Sequence, residues 1–312
     1  MIEIKSIFSF VPKNFISKEK LKKKLGKNNF RKIHNYTGFK KLHVLKKKKE
    51  PAEFFFQSID KFFKVTKINK NKIDAIIFSS HTRSQEMPIF SAKIQSKFQL
   101  RNDIICYDLP GSCSGFTNGL IHSSAFLNSK IADTVLLICA DAHSKNLDKN
   151  LIPLIGDGLS CMIIKRKKNI TKIDYGVDGS NNEILTIEST TKKLKMDGIE
   201  VFKFAVKRVP ETYSNILKKI KCKIDFYCFH QPNKNIHDHL IRKLNIDFNK
   251  VISTFDFGNT SAASIPIAIS KNFSNRNIVN KNFLFCGFGA GLTWSTIVTR
   301  LHKTYVSKVY FI

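Results

Sequence analysis

Apolar residues in this chain come in short unbroken runs rather than alternating with polar ones. The clearest are Lys72-Ile-Asp-Ala-Ile-Ile-Phe78, Leu137-Ile-Cys-Ala140, Lys223-Ile-Asp-Phe-Tyr-Cys-Phe229 and Leu284-Phe-Cys-Gly287. A strand covered by helices on both faces reads this way, whereas a half-solvated strand alternates. Three segments add a common grammar, in which an apolar strand ends, small or turn-forming residues follow, and a helical stretch begins. They are Asp108-Leu-Pro-Gly-Ser-Cys-Ser-Gly-Phe-Thr-Asn-Gly-Leu120, Tyr227-Cys-Phe-His-Gln-Pro-Asn233 and Asp256-Phe-Gly-Asn-Thr-Ser-Ala-Ala-Ser-Ile-Pro266. This succession predicts an α/β fold.

The pattern also repeats. Lys72-Ile-Asp returns as Lys223-Ile-Asp, 151 residues later; Asp108 returns as Asp256 after 148, and Cys139 as Cys286 after 147. Three ordered offsets this close predict two half-chains of about 150 residues with the same strand–helix order. No Pro/Gly/Ser-rich linker separates them, so the division near residue 168, into 1–168 and 169–312, reads as a pseudo-domain boundary rather than a hinge. Chance similarity between lysine-bounded buried strands is the other explanation.

Candidate chemistry sits at the carboxyl ends of strands, where open α/β sheets build their sites. Cys113 falls at the start of a helix, where free N–H groups and aligned dipoles favour a thiolate and predict a lowered pKa. A buried structural cysteine is the alternative for that residue alone. His230 and Asn259 end two other strands. One Cys, one His and one Asn from three such ends form a set that core packing does not require.

The stretches around Cys113, His230 and Asn259, with Ile155-Gly-Asp-Gly158 and Gly287-Phe-Gly-Ala-Gly-Leu-Thr-Trp294, resemble the β-ketoacyl-acyl-carrier-protein synthase III family of condensing enzymes. Matches run in family order from Thr37-Gly38 to Arg300. The resemblance implies a thiolase-like fold, two pseudo-repeated α/β halves in a five-layered αβαβα body. It implies that Cys113 takes an acyl group from a coenzyme A or carrier-protein thioester, with the N–H groups of Cys113 and Ala290 as oxyanion hole. His230 and Asn259 would then support decarboxylative condensation with a malonyl-carrier protein, as in the initiating branch of the family. Phe288 and Met87 would shape the acyl pocket, Met87 from the partner of a homodimer. No cofactor is implied. Asp157 reads as a structural turn residue.

The chain also departs from the family. Lys32 occupies the place of the tryptophan that stacks on the adenine of coenzyme A, and Lys149 and Asn235 replace arginines. Lysines meet phosphate as point charges, without stacking or bidentate pairing, so nucleotide recognition is expected to weaken. Pro110-Gly-Ser before Cys113 departs as well. These changes suit a carrier-protein donor and a specialised acyl pathway as well as fatty acid initiation.

Composition alters this picture little. The formal net charge is +29, yet eight of the 53 basic residues are arginine and the lysines spread along the whole chain. That argues against a base-reading surface and leaves two explanations, coding bias or a positive rim that steers an acidic acyl carrier protein. The clusters at Lys18 to Lys27 and Lys46 to Lys49 read as solvated faces. Seven cysteines without a C-x-x-C pair fit neither a disulfide framework nor a zinc site, and His237-Asp-His239 lacks the ligands to complete a metal site. No signal-peptide core or ~20-residue apolar span is present, and a cytoplasmic setting is expected. Two other functions stay open: an acyltransferase to a hydroxyl or amine without decarboxylation, and a non-catalytic basic binding protein.

Overall fold

The computed structural model describes residues 2–83, 87–169, 171–188, 190–191 and 193–312. In chain order its strands are β1 (Ile2–Val11), β2 (Phe15–Ile16), β3 (Leu42–His43), β4 (Ala75–Ser79), β5 (Ile105–Leu109), β6 (Thr134–Asp141), β7 (Gly158–Arg166), β8 (Thr171–Val177), β9 (Leu185–Ile187), β10 (Leu194–Met196), β11 (Phe226–Phe229), β12 (Arg276–Gly289) and β13 (Thr293–Phe311). The helices are α1 (Lys18–Leu25), α2 (Lys27–Thr37), α3 (Pro51–Thr66), α4 (Phe90–Lys97), α5 (Gly115–Asn128), α6 (Gly198–Lys218), α7 (Lys234–Lys243) and α8 (Ser264–Asn272).

Two groups of strands share one order. The first runs β5-β4-β6-β7-β1, with β7 antiparallel to both neighbours. The second runs β11-β12-β13-β8, with β13 antiparallel to both neighbours. Beyond β11, Val251 bridges Tyr227 in parallel at the place that β5 holds in the first group. The long β13 then pairs in parallel with β1, Ser6 opposite Tyr305, joining the groups into a nine-stranded sheet.

The unbroken apolar runs have the predicted cause, since alternate residues of one strand enter different cores. Ile76 and Phe78 of β4, with Leu136 and Ile138 of β6, face α3 and α4. Ala75, Ile77, Val135 and Leu137 face the opposite way, toward α5 and α8. On the far side Phe283 and Phe285 share that central core, while Leu284, Cys286 and Phe288 turn outward to α6 and α7. The result is five layers, with α5 and α8 sandwiched between two strand groups and helices outside each. Local sequence supports the elements: α3 opens with Pro51 at its first turn, and Phe54, Phe55, Ile59, Phe62 and Phe63 recur on its buried stripe. The lysines of α1 are solvent-exposed, with Leu21 as its buried residue.

The repeat extends to backbone strain. Ser112 (φ 44°) and Ser261 (φ 49°) each start a 3-10 turn that runs into α5 or α8. Left-handed conformations are costly for residues with a side chain, and here they recur at matching points of the two halves. Asp108 and Asp256 precede these serines by four and five residues but do not share a task. Asp108 accepts the N–H groups of Phe90 (2.7 Å) and Ser91 (2.8 Å) at the start of α4. Asp256 instead pairs with Lys40 (3.1 Å) and Lys271 (2.9 Å).

Candidate active site

Cys113, His230 and Asn259 line one cavity, together with Phe288 and Gly289. Cys113 and His230 follow β5 and β11, as the sequence suggested, whereas no strand leads into Asn259, which makes an isolated bridge to Ile155 instead. Cys113 lies in the 3-10 turn Ser112–Ser114, just before α5 rather than inside its first turn. The end of β12 passes directly behind it. A Cβ on Gly289 would lie 2.8 Å from Cys113 Cβ, and one on Gly287 2.4 Å from Thr117 Oγ1, so this strand approaches the cysteine turn only as glycine. Phe288 between them points to the other side, its ring 5.4 Å from the His230 imidazole in an edge-to-face contact.

The thiol departs from expectation. Burial pushes the Cys113 thiol up to about 11, against the smaller pull of the Ser261 hydroxyl, whose oxygen lies 3.7 Å from the sulfur. Desolvation of the thiolate outweighs the benefit of the helix start. The side chain therefore rests as a thiol.

His230 is held at both ends of its residue. Its N–H donates to the Cys286 carbonyl (2.8 Å), and its Nδ1 is 2.7 Å from the Ser264 hydroxyl. Burial brings its pKa down to about 3, so the imidazole is neutral at physiological pH. With Nδ1 engaged by Ser264, contact with a substrate falls to Nε2. Asn259 is fixed as firmly. Its N–H donates to the Leu154 carbonyl (2.9 Å), its carbonyl accepts from Gly156 (3.0 Å), and its Oδ1 accepts the Ser261 N–H (2.9 Å). With Oδ1 taken, the amide NH2 is what the side chain has left to offer.

Asp157 holds the neighbouring loops. It accepts the N–H groups of Leu45 (2.8 Å) and Ser144 (3.0 Å) and the Ser144 hydroxyl. A second opening adjoins the cavity, sharing Leu151, Met196, Val201 and Pro232 with it and lined further out by Lys32 and Tyr36 of α2. Lys149 is exposed and lines neither space, although its neighbour Asn150 does. The vestibule thus has an aromatic after all, Tyr36, one helical turn from Lys32. Met87 lies outside the cavity and is 85% exposed. Ala290 follows Gly289 at the end of β12 and is not among the lining residues.

Sequence reasoning missed three residues. Ser261 and Ser264 are small residues in a turn, and nothing in their type announces a partner. His143 also lines the cavity. It follows the end of β6 by two residues, so the rule that found His230 applies to it equally.

Comparison with known proteins accords with this geometry. Residues 107–179 match the family described as 3-oxoacyl-[acyl-carrier-protein (ACP)] synthase III, and residues 220–301 match its C-terminal domain. The β-ketoacyl-[acyl-carrier-protein] synthase III of Microcystis aeruginosa is 30% identical, over 94% of this chain and 95% of that protein. The chain belongs to the β-ketoacyl-acyl-carrier-protein synthase III family. Among solved structures, the 3-oxoacyl-[acyl-carrier-protein] synthase III of Aquifex aeolicus superposes with a TM-score of 0.86 at 26% identity, over 96% of this chain and all of that one. A 3-oxoacyl-(acyl-carrier protein) synthase of Burkholderia xenovorans superposes with a TM-score of 0.92 at 21% identity, over all of this chain and 97% of that one. The protein is thus a synthase III-type condensing enzyme with the thiolase-like fold, which is the five-layered body described above.

Proposed function

We propose that Cys113 is the acyl carrier of this enzyme and that His230 and Asn259 support the condensation. The reading rests on one observation: the three residues, from three separate segments of the chain, line the same mostly apolar cavity. In the first half-reaction the Cys113 sulfur attacks an acyl thioester. The old carbon–sulfur bond breaks, and the thiol proton goes to the departing thiolate. The N–H groups of Cys113 and Ala290 receive the developing oxyanion, donors of a kind each worth about 3 kcal/mol in the transition state. The product is an acyl-enzyme.

In the second half-reaction a malonyl-carrier protein enters. His230 Nε2 and the Asn259 amide hydrogen-bond its thioester oxygen as carbon dioxide leaves and negative charge collects there. The enolate carbon then attacks the acyl carbonyl. The Cys113 sulfur departs as a thiolate and takes up a proton, giving a β-ketoacyl-carrier protein. Neutral His230 suits this step, since a cation is not needed to donate a hydrogen bond.

Several companions of this reading concern partners and setting. Lys32 at the vestibule meets the phosphate of the donor or carrier arm, and Lys149, exposed nearby, contributes charge rather than a contact. An acidic acyl carrier protein is the partner that the +29 chain attracts. A homodimer forms through β5, an open edge of the nine-stranded sheet, and carries exposed Met87 to the partner's acyl pocket. The two halves divide near residue 168. Among the described residues no helix is long and apolar enough to cross a membrane, and the seven free cysteines fit a reducing cytoplasm.

The test is intact mass after incubation with acyl-coenzyme A and acyl-carrier-protein thioesters. The expected result is one acyl increment, lost in Cys113→Ala and discharged with carbon dioxide when malonyl-carrier protein is added. An increment that survives Cys113→Ala, or none from any donor, removes the covalent mechanism. Discharge to an alcohol or amine without carbon dioxide would make the protein an acyltransferase instead.

A further inference from the structure

The mechanism above makes no use of His143, although it is a cavity wall. Its imidazole is 7% exposed and shares the lining with Cys113, Leu151, Leu194, Phe204 and Leu292. An ionisable ring among such neighbours is costly unless something outside the cavity supports it. Asp141, fully buried at the end of β6, supplies that support: its Oδ1 lies 3.6 Å from His143 Nε2.

Asp141 does not depend on His143 for its own satisfaction. Its Oδ1 accepts the His81 N–H (2.9 Å) and the hydroxyls of Ser80 (3.3 Å) and Thr82 (3.4 Å), and its Oδ2 meets the Ala262 N–H at 3.5 Å. The contact to His143 is longer than a full hydrogen bond. Against the cost of burial, the fixed carboxylate facing Nε2 favours the doubly protonated imidazolium, whose Nδ1–H is a donor that Asp141 does not take. The cavity is narrow, about 40 Å³, so a group carried on Cys113 meets the cavity walls closely.

We propose that His143 selects the acyl group: the cavity takes a short acyl chain bearing an acceptor oxygen, a hydroxyl, keto or carboxylate group, in preference to a saturated hydrocarbon chain of the same length. This assignment rests on the reading of Cys113 as the acyl carrier. A chain oxygen placed against the imidazole recovers a hydrogen bond, whereas a methyl or methylene in its place leaves a buried donor unsatisfied. Sites built around a hydrogen bond reject the analogue that lacks it far more strongly than apolar pockets reject an extra methylene.

The experiment measures Cys113 acylation by intact mass with butyryl, 3-hydroxybutyryl and succinyl thioesters, each supplied on coenzyme A and on carrier protein. Wild type is expected to load at least one oxygen-bearing donor tenfold or more faster than butyryl, and comparison of the hydroxyl and carboxylate donors tells which oxygen is used. His143→Leu is expected to invert the preference toward butyryl. His143→Gln, which restores a hydrogen-bond donor and guards against a leucine variant that fails to fold, is expected to keep it. A merely structural role for His143 would slow all donors alike and leave the ratio unchanged. Equal or faster loading of butyryl by wild type, or an unchanged ratio in folded His143→Leu, overturns the assignment. Absence of loading from every donor removes the reading of Cys113 itself, and this assignment with it.

Discussion

Ser264 Oγ lies 2.7 Å from His230 Nδ1, and this pair couples the start of α8 to the histidine at the end of β11. When the hydroxyl donates to Nδ1, the ring proton resides on Nε2, the tautomer needed to donate to a thioester oxygen. Ser264 is thus a positioning residue. Ser264→Ala should lower condensation by tenfold to a hundredfold, the scale of one lost buried hydrogen bond, while Cys113 acylation falls much less. Ser264→Thr should recover most of the rate. Equal losses in both half-reactions, measured by intact mass and by carbon dioxide release, would assign Ser264 a packing role alone.

The elevated thiol has a direct signature. Because burial holds Cys113 up at about 11, its thiolate fraction should grow tenfold per pH unit through neutrality. Alkylation of Cys113 by iodoacetamide, followed by peptide mass, should therefore keep accelerating from pH 7 to pH 10. A plateau near pH 7 would mean that the helix start and its neighbours overcome desolvation.

Gly289 is required by proximity rather than by backbone conformation, its φ of 176° being extended. A methyl there would fall 2.8 Å from Cys113 Cβ. Gly289→Ala should cost about 1–3 kcal/mol of stability, the usual scale of overpacking, and should reduce acylation sharply because the cysteine turn must shift. Thermal unfolding together with intact mass checks both.

Asn259→Ala removes the amide proposed to meet the malonyl thioester oxygen and the Oδ1 that holds Ser261. A loss of about a hundredfold or more in condensation is expected, by analogy with removal of one positioned donor. Acyl-enzyme should still form and accumulate. A variant that neither loads nor condenses would place Asn259 in the first half-reaction as well.

The Asp141–His143 pair predicts a pH dependence of stability. Burial opposes charge on both groups, but each offsets it for the other: Asp141 is held down at about 2 and His143 is raised from 6.5. The contribution of His143 is fully present below pH 6.5 and is lost as pH rises through its raised folded value. That of Asp141 is present above its ordinary 3.8 and is lost as pH falls toward 2. Asp141→Asn should therefore destabilise most between these limits, by about 3 kcal/mol or more, with a smaller deficit at alkaline pH. Melting curves of both proteins from pH 4 to pH 9 would contradict this if the deficit grew with pH.

Cys113 and His230 were legible in the sequence because a polar residue at the end of an apolar run is conspicuous, and strand ends converge in an α/β sheet; Asn259 was picked out by its small-residue turn, although no strand leads into it. The repeat was legible for the same reason, its strand cores being nearly continuous in Ile, Leu, Phe and Val. Burial was not. The chain records that Cys113 precedes a helix but not that the sulfur faces a narrow apolar cavity, so the dipole argument pointed the wrong way. Lys32 and Lys149 came from matching the resembled family's pattern, and a residue's direction off a helix or turn decides which of them reaches the vestibule. The serines beside His230 and Cys113 had no distinguishing pattern, because a hydroxyl in a small-residue turn usually serves the backbone.

The joining of β1 to β13 bears on how the chain is made. Ser6 emerges from the ribosome early, and its partner Tyr305 follows roughly 300 residues later. Until then β1 can pair with β7 on one side, but its other edge stays open, and the second strand group has nothing to lock onto. The first half must therefore wait, partly assembled, as an exposed template for foreign strands. A stalled or truncated product lacking the last twenty or so residues would keep Cys113, His230 and Asn259 in sequence yet leave that edge unsealed.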